Sequence, residues 1–171
     1  KGWEYSKCFF HRSGQGDASE WVEKYRAASD EIAGRGYICI PTGNHDIERL
    51  ASGRDRRDLE ILHLFMFTMP GVPFLYYGDE IGITHRHDLP SKEGGYNRTA
   101  ARTPMQWDDS HNAGFSTAPA QDLYLPVMED CSLCNVETQQ ADPDSLLNRL
   151  RALIALRKAH PALGSDGDLR F

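Results

Sequence analysis

Two short apolar runs, residues 37–42 and 72–77, flank one long apolar segment, and this alternation limits the possible folds more than any other feature. The first run, Tyr37-Ile38-Cys39-Ile40-Pro41-Thr42, reads as a buried strand that stops at Gly43-Asn44-His45-Asp46. The segment 55–69 is apolar nearly all round from Leu59 onward, which predicts a heavily buried helix halted by Pro70-Gly71. The second run, Val72-Pro73-Phe74-Leu75-Tyr76-Tyr77, ends at Gly78-Asp79-Glu80, with Pro73 near its start, where a missing ladder donor is tolerated. Upstream, Trp21, Val22, Tyr25, Ala28 and Ile32 recur at the helical period over 21–33. Asp17 or Ser19 can cap that helix, and Gly34 and Gly36 end it. Helix, strand, helix, strand is the order of a parallel α/β sheet.

Downstream the pattern weakens. Residues 83–144 show little period of either kind and include the Gly-rich turn Glu93-Gly94-Gly95-Tyr96; loops this long inside a domain are usually functional. Asp144 or Ser145 then caps an amphipathic helix with the stripe Leu146, Leu147, Leu150, Leu153 and Ile154. Arg157 and Lys158 fall near its C-terminus, where the helix dipole favours cations, and Pro161 ends it. Residues 169–171 look like the start of another strand. Two parallel strands cannot close a barrel, and as an open sheet they leave both edges unpaired. The expectation is part of a domain, in keeping with the opening Lys1-Gly2-Trp3-Glu4-Tyr5, which lacks an initiator methionine, a signal peptide, a cap or a strand pattern.

Charge and cysteines exclude several functions. With 19 basic against 25 acidic residues the net charge is −6, which argues against nucleic acid or an anionic membrane as the main partner. The longest apolar stretch, 62–69, is interrupted by His63 and Thr68 and is too short to span a bilayer. Of Cys8, Cys39, Cys131 and Cys134, Cys39 reads as a small core hydrophobe. Cys131-Ser132-Leu133-Cys134 is a lone CxxC without a second pair for tetrahedral zinc. Reduced thiols in a cytosolic loop are expected, hence a cytoplasmic, bacterial setting.

Three clusters could carry chemistry. His45-Asp46 closes the first strand, Asp79-Glu80 the second, and the third is the segment from Arg98 to Asp108. At the C-terminal ends of parallel barrel strands, polar side chains sit where catalysis occurs, because the interior below is packed with apolar residues. Each cluster also has a structural reading: His45 as a lock on Asp46, Asp79-Glu80 as a cap or the partner of a nearby arginine, Arg98 and Arg102 as a solvated pair. Two arginines four apart point the same way only if the backbone is locally helical.

Thr42-Gly43-Asn44-His45-Asp46, then the segment from Gly71 to Gly82, then Arg102-Thr103-Pro104-Met105-Gln106-Trp107-Asp108 with Asn112-Ala113-Gly114-Phe115, together resemble glycoside hydrolase family 13, the α-amylase family. The similarity continues through residues 135–139 and 145–147 to His160-Pro161-Ala162-Leu163. It implies the C-terminal portion of a (β/α)8 barrel over residues 1–163, incomplete by itself, with 37–42 as strand seven, 72–77 as strand eight and the long active-site loop at about 83–144. Residues 164–171 would begin a C-terminal β domain. The resemblance implies that Asp46 stabilises the transition state by binding the 2- and 3-hydroxyls of the glucose at the cleavage point, and that His45 binds the same sugar. Arg98 and Arg102 match arginines that hold a terminal non-reducing glucose in oligo-1,6-glucosidase-like members, and Arg49 is a further expected substrate contact. No stretch matches the family's nucleophile or general acid, so the isolated chain is expected to be inactive and to need the N-terminal barrel half. Substrates would be α-glucans or malto- and isomaltooligosaccharides. No cofactor or metal site is expected here; the family's usual calcium site would fall in the rest of the parent enzyme.

Among members, the 102–108 and 112–115 motifs resemble α-glucosidases, oligo-1,6-glucosidases and trehalose synthases more than endo-acting α-amylases. Leu123-Tyr124-Leu125-Pro126 and 136–139 lean toward trehalose synthase, whereas Ile47-Glu48-Arg49-Leu50 sits nearer to glucosidase or amylase members. The α-glucosidase type is favoured. Trehalose synthase, endo-α-amylase and a non-catalytic carbohydrate-binding or transporter-associated relative remain alternatives.

Overall fold

A computed structural model describes residues 18–32, 34–92 and 98–170. Along the chain lie α1 (Ala18–Ile32), β1 (Cys39–Pro41), α2 (Arg56–Thr68) and β2 (Val72–Phe74). A long tract of turns follows, then α3 (Val136–Ala141) and α4 (Leu146–Ala159). The expectations for Lys1–Tyr5, Cys8, Asp17, Ala33, the turn at 93–96 and Phe171 fall outside the described residues.

β1 and β2 pair in parallel, with Cys39 opposite Val72, Ile40 opposite Pro73 and Pro41 opposite Phe74. Each spans three residues rather than the six expected. Pro41 and Pro73 interrupt the two runs by removing an N–H donor each. Single bonds carry the pairing a little further at both ends, from Val72 N to Ile38 O (2.8 Å) and from Thr42 N to Phe74 O (2.9 Å). Entry into β2 depends on Gly71, whose φ of +111° is left-handed. A Cβ there would lie 2.5 Å from the Ile38 carbonyl oxygen, so only glycine lets the strands meet at this point.

Helices cover one face of the pair. Ile40 packs against a buried cluster of Met66 and Phe67 from α2 and Leu150 from α4, which Leu153 and Ile154 of α4 also border. The opposite face carries Cys39, Pro41 and Phe74, all exposed. Cys39 is therefore not the core residue expected of it. Strands of a parallel sheet are fully buried only when both faces are covered, and among the described residues only one is.

α2 starts with a reciprocal capping box: Asp58 N donates to the Asp55 side chain (2.9 Å) and Asp55 N to that of Asp58 (3.4 Å). Its buried residues are Leu59, His63, Met66 and Phe67, whereas Ile61 and Leu64 are 56% and 47% exposed. This helix is less buried than its composition predicts, because α1 and α4 cover only part of its circumference. On α1 the expected stripe of Trp21, Val22, Tyr25, Ala28 and Ile32 is the half-buried face. Trp21 meets Phe65 edge-on at 4.9 Å, and Tyr25 OH donates to Pro70 O (3.1 Å). Ser19 lies inside the helix and does not cap it.

α4 carries the expected stripe, with Leu146, Leu147 and Leu150 buried, and Ser145 caps it by accepting from Asn148 N (3.2 Å). Arg157 does more than complement its own helix dipole. Its guanidinium donates to the carbonyls of Phe67 (2.9 Å), Met69 (2.8 Å) and Gly71 (2.6 Å), satisfying the open end of α2 and the turn into β2. Residues 169–170 are not in a strand.

The tract after β2 has a core of its own: Ile81, Ile83, Met105, Met128 and Leu147 pack together, with Cys134 and Val136 against them. α3 was not expected. Its signal is Asn135, fully buried, which accepts from Thr138 N (2.7 Å) and donates to Cys131 O (2.8 Å). Among the described residues no helix is long and apolar enough to cross a membrane.

Candidate active site

The turn after β1 places His45 and Asp46. Asp46 N donates to Asn44 Oδ1 (2.7 Å), a local side-chain turn that curls the chain back on itself. Across from it, the 3-10 segment Thr99–Ala101 has all three residues buried and carries Arg98 and Arg102 at its two ends. Its helical winding answers the condition set by the sequence: the two arginines converge. Arg98 Nη1 lies 3.2 Å and Arg102 Nη2 3.0 Å from the same Asp46 Oδ1. Arg102 Nε donates to the His45 carbonyl (2.9 Å), and His45 Nε2 is 3.4 Å from Asp46 Oδ1. The Asp46 side chain keeps 35% of its surface accessible and His45 keeps 62%. A carboxylate fixed by two guanidinium forks yet open to solvent suits the recognition of a hydroxyl-rich ligand.

Arg49 departs from expectation. Its side chain is fully enclosed, so it cannot touch a substrate. The guanidinium carbon lies 4.6 Å from the Tyr76 ring centre and 4.5 Å from that of Tyr77, and Nη1 donates to the Tyr77 carbonyl. Nη1 is also 3.7 Å from Asp79 Oδ1, and that carboxyl is equally enclosed. Burial pushes the Asp79 carboxyl up to about 6, against the opposing pull of Thr42 and Arg49. Of the two readings open for Asp79, partner of an arginine is the one observed.

Arg49 acts on the site through the two tyrosines. Tyr76 OH donates to Ala101 O (3.3 Å) and Tyr77 OH to Thr103 O (2.8 Å), on either side of Arg102. Tyr76 N donates to Thr42 Oγ1 (2.9 Å), which ties the same pair to the turn that carries His45 and Asp46. Burial, with the neighbouring Tyr77, holds the Tyr76 phenol up to about 12, so its hydroxyl stays protonated as a donor. Sequence reasoning missed Tyr76, Tyr77 and Thr42 as supports, because aromatic and β-branched residues in an apolar run read as core.

Two further polar groups singled out in the sequence have local structural partners. Cys134 Sγ donates to Ile81 O (3.2 Å), and burial pushes the thiol up to about 12, which leaves it a poor nucleophile and metal ligand. Asp108 accepts from the N–H (2.9 Å) and hydroxyl (2.5 Å) of Ser110 in a turn. Among the described residues no three His, Cys, Asp or Glu side chains gather into a metal-holding group.

The family model of the α-amylase catalytic domain matches residues 9–166. The chain belongs to the α-amylase family. A trehalose synthase/amylase of Mycobacterium tuberculosis is 42% identical over 112 residues, which cover 63% of this chain and 18% of that protein. A human amino acid transporter heavy chain is 36% identical over 115 residues (67% of this chain, 16% of that one). Maltase 1 of Drosophila virilis is 34% identical over 131 residues (68% and 20%). Among solved structures, a variant of trehalulose synthase MutB in complex with the substrate sucrose superimposes with a TM-score of 0.68 at 28% identity. That match covers 80% of this chain and 30% of the other. The chain thus spans under a quarter of these curated relatives and about a third of the solved one. The described residues match part of that family's catalytic barrel domain.

Proposed function

We propose that this chain supplies the sugar-gripping part of the active site of a retaining enzyme acting on α-linked glucose oligosaccharides, of the α-glucosidase type. The observation that carries the reading is the convergence of Arg98 and Arg102 on one oxygen of a solvent-open Asp46, with His45 beside it. Asp46 binds the 2- and 3-hydroxyls of the glucose at the cleavage point and stabilises the transition state. Retaining hydrolysis passes through an oxocarbenium-like state, in which hydrogen bonds to the 2-hydroxyl tighten and supply several kcal/mol. His45 holds the same ring, and Arg98 and Arg102 orient Asp46 and receive the terminal glucose, making a pocket for chain ends. β1 and β2 take the places of the seventh and eighth barrel strands, residues 1–163 belong to the barrel and 164–171 lead into a C-terminal domain. Any calcium site belongs to the rest of the parent. The cysteine pattern fits a cytoplasmic setting.

Two carboxyls about 5 to 5.5 Å apart are needed for retention, and this chain has no motif for either nucleophile or acid, so alone it binds without cutting. Trehalose synthase is an equal second reading, favoured by the 42% identical relative; there the same pocket would hold the glucosyl unit while the second sugar is re-linked. A non-catalytic, carbohydrate-binding role is disfavoured because His45, Asp46, Arg98 and Arg102 are all present and gathered. The test is saturation-transfer NMR of the purified chain with glucose: binding is expected, with loss in Asp46→Asn. Glucose binding that ignores the substitution overturns the role of Asp46, and turnover of 4-nitrophenyl α-glucoside by the chain overturns its inactivity. In the parent enzyme, maltose going to glucose marks the hydrolase and maltose going to trehalose the synthase.

A further inference from the structure

Cys131 and Cys134 are both free thiols, and the turn that carries them is wound like a helix. Cys131 N donates to Met128 O (3.4 Å), and Leu133 N and Cys134 N both donate to Asp130 O (2.9 Å each). Residues three apart in such a turn lie on one side of it, with Cβ atoms about 5–6 Å apart. A disulfide needs a Cβ separation of about 3.5–4.5 Å, so a slight tightening of the turn brings the two sulfurs together. Both residues are half-buried, but they differ in surroundings. Cys131 adjoins the exposed Ser132 and Leu133. The Cys134 sulfur donates to Ile81 O (3.2 Å), and burial, with Asp130 nearby, pushes its thiol up to about 12. The turn is also tied to the segment that follows Arg102. Cys134 O accepts from Nε2 of the fully buried Gln106. Gln106 O accepts from Val136 N (3.1 Å), and Trp107 O from Glu137 N (2.9 Å). Asn135 Nδ2 donates back to Cys131 O (2.8 Å), and Gln139 Nε2 shares Ile81 O with the thiol (2.7 Å). Drawing Cys134 toward Cys131 therefore removes the S–H donor from Ile81 and strains the contact with Gln106.

We propose that Cys131 and Cys134 form a reversible thiol–disulfide switch, oxidised by a small-molecule disulfide, that loosens residues 106–107 and through them the hold of Arg102 on Asp46. The switch goes beyond the function proposed above, and only its effect on sugar binding rests on that reading. With oxidised glutathione as the oxidant, the Cys131 thiolate attacks one of its sulfurs. A bond forms from Cys131 to that sulfur, the glutathione S–S bond breaks, and the leaving thiolate takes up the proton that Cys131 gave up. Cys134 then loses its proton and attacks the Cys131 sulfur, and the second glutathione leaves as a thiol. Two protein thiols are oxidised and one glutathione disulfide is reduced to two thiols. Cys131 comes first because the Cys134 sulfur is turned inward and held protonated. Cys134 acts only once a mixed disulfide lies one helical turn away, where the reaction is intramolecular.

The experiment uses the whole chain with Cys8→Ser and Cys39→Ser, which leaves Cys131 and Cys134 as its thiols, equilibrated in mixtures of oxidised and reduced glutathione. Peptide mass spectrometry should find a Cys131–Cys134 disulfide that excess reduced glutathione reverses. Adding Cys134→Ser should stop the reaction at a mixed disulfide on Cys131. Amide hydrogen exchange followed by NMR should run roughly fivefold faster at Val136 and Glu137 in the oxidised chain, the weight of one net hydrogen bond. Leu150 on α4 should be unchanged, and saturation-transfer NMR should show weaker glucose binding by the oxidised form. Mixed disulfides without an internal bridge, or a bridge that reduced glutathione leaves intact, overturn the switch. Equal exchange at Val136 and Glu137 in the two forms overturns the coupling, and so does a matching rise at Leu150, which shows general unfolding. Faster local exchange with unchanged glucose affinity overturns the link to Asp46. A chain that binds no glucose in either form removes the reading of Asp46, and the bridge and exchange results still decide the switch.

Discussion

His63 gives this fold an acid sensitivity that can be calculated. It sits on α2 with 1% of its surface exposed, among Leu64, Leu146, Leu150 and Leu153, and neither ring nitrogen has a hydrogen-bond partner among the described residues. Burial lowers its pKa from 6.5 to about 4. The unfolded chain therefore takes up a proton near pH 6.5 while the folded chain waits until about 4, and stability is lost as pH falls through that window. At 1.36 kcal/mol per unit, the shift is worth roughly 3 kcal/mol at the acid end. Asp79 opposes it. Its carboxyl is raised from 3.8 to about 6, so its contribution is fully present below 3.8 and is lost as pH rises through 6. That is again roughly 3 kcal/mol, with the opposite sign. Between pH 4 and 6 the two nearly cancel, and the unaltered chain should show a flat profile across this range from these groups. Replacing His63 with leucine removes one side of the balance, and an unpaired buried imidazole is little loss to neutral stability. In urea unfolding followed by circular dichroism, the midpoint of His63→Leu should rise on going from pH 7 to pH 4 relative to the parent, by about 1.5 M for a slope near 2 kcal/mol per M. Midpoints of the two proteins that stay parallel from pH 7 to pH 4 would refute the argument.

Two further outcomes follow from enclosed groups. Arg49→Met leaves the Asp79 carboxyl without its cation in a sealed site and should cost about 3 kcal/mol in urea unfolding at pH 7. The loss should be smaller at pH 5, where Asp79 is held protonated; an equal loss at both pH values contradicts the pairing. In iodoacetamide labelling read by peptide mass spectrometry, exposed Cys39 should react long before Cys134, whose half-buried thiol is held protonated. Equal rates at the two positions would be inconsistent with the packing of Cys134.

Periodicity made several elements legible without coordinates. The stripe on α1 and the buried leucines of α4 lie where a 3.6-residue repeat puts them. The two apolar runs do pair in parallel, although prolines inside both shorten them. α3 was hidden because a six-residue helix is too short for a period to show, and its capping residue Asn135 resembled any other loop asparagine. His45, Asp46, Arg98 and Arg102 were legible as candidates from local motif order.

What no local pattern could supply was which arginine faces the ligand and which is walled in. Arg49 stands three residues from Asp46 and Arg98 stands 52 away, yet it is Arg98 that reaches the carboxylate while Arg49 is sealed between Tyr76 and Tyr77. A guanidinium is costly to bury unless charge and aromatic faces surround it. Those partners come from the turn after the second strand, so only the folded chain decides the matter. Sequence alone determined the parallel α/β character and the chemistry on offer at the strand ends. Tertiary structure decided the rest: it turned Arg98 and Arg102 onto Asp46, used Tyr76 and Tyr77 to hold them there, and left Cys39 in the open because contacts between distant segments set burial.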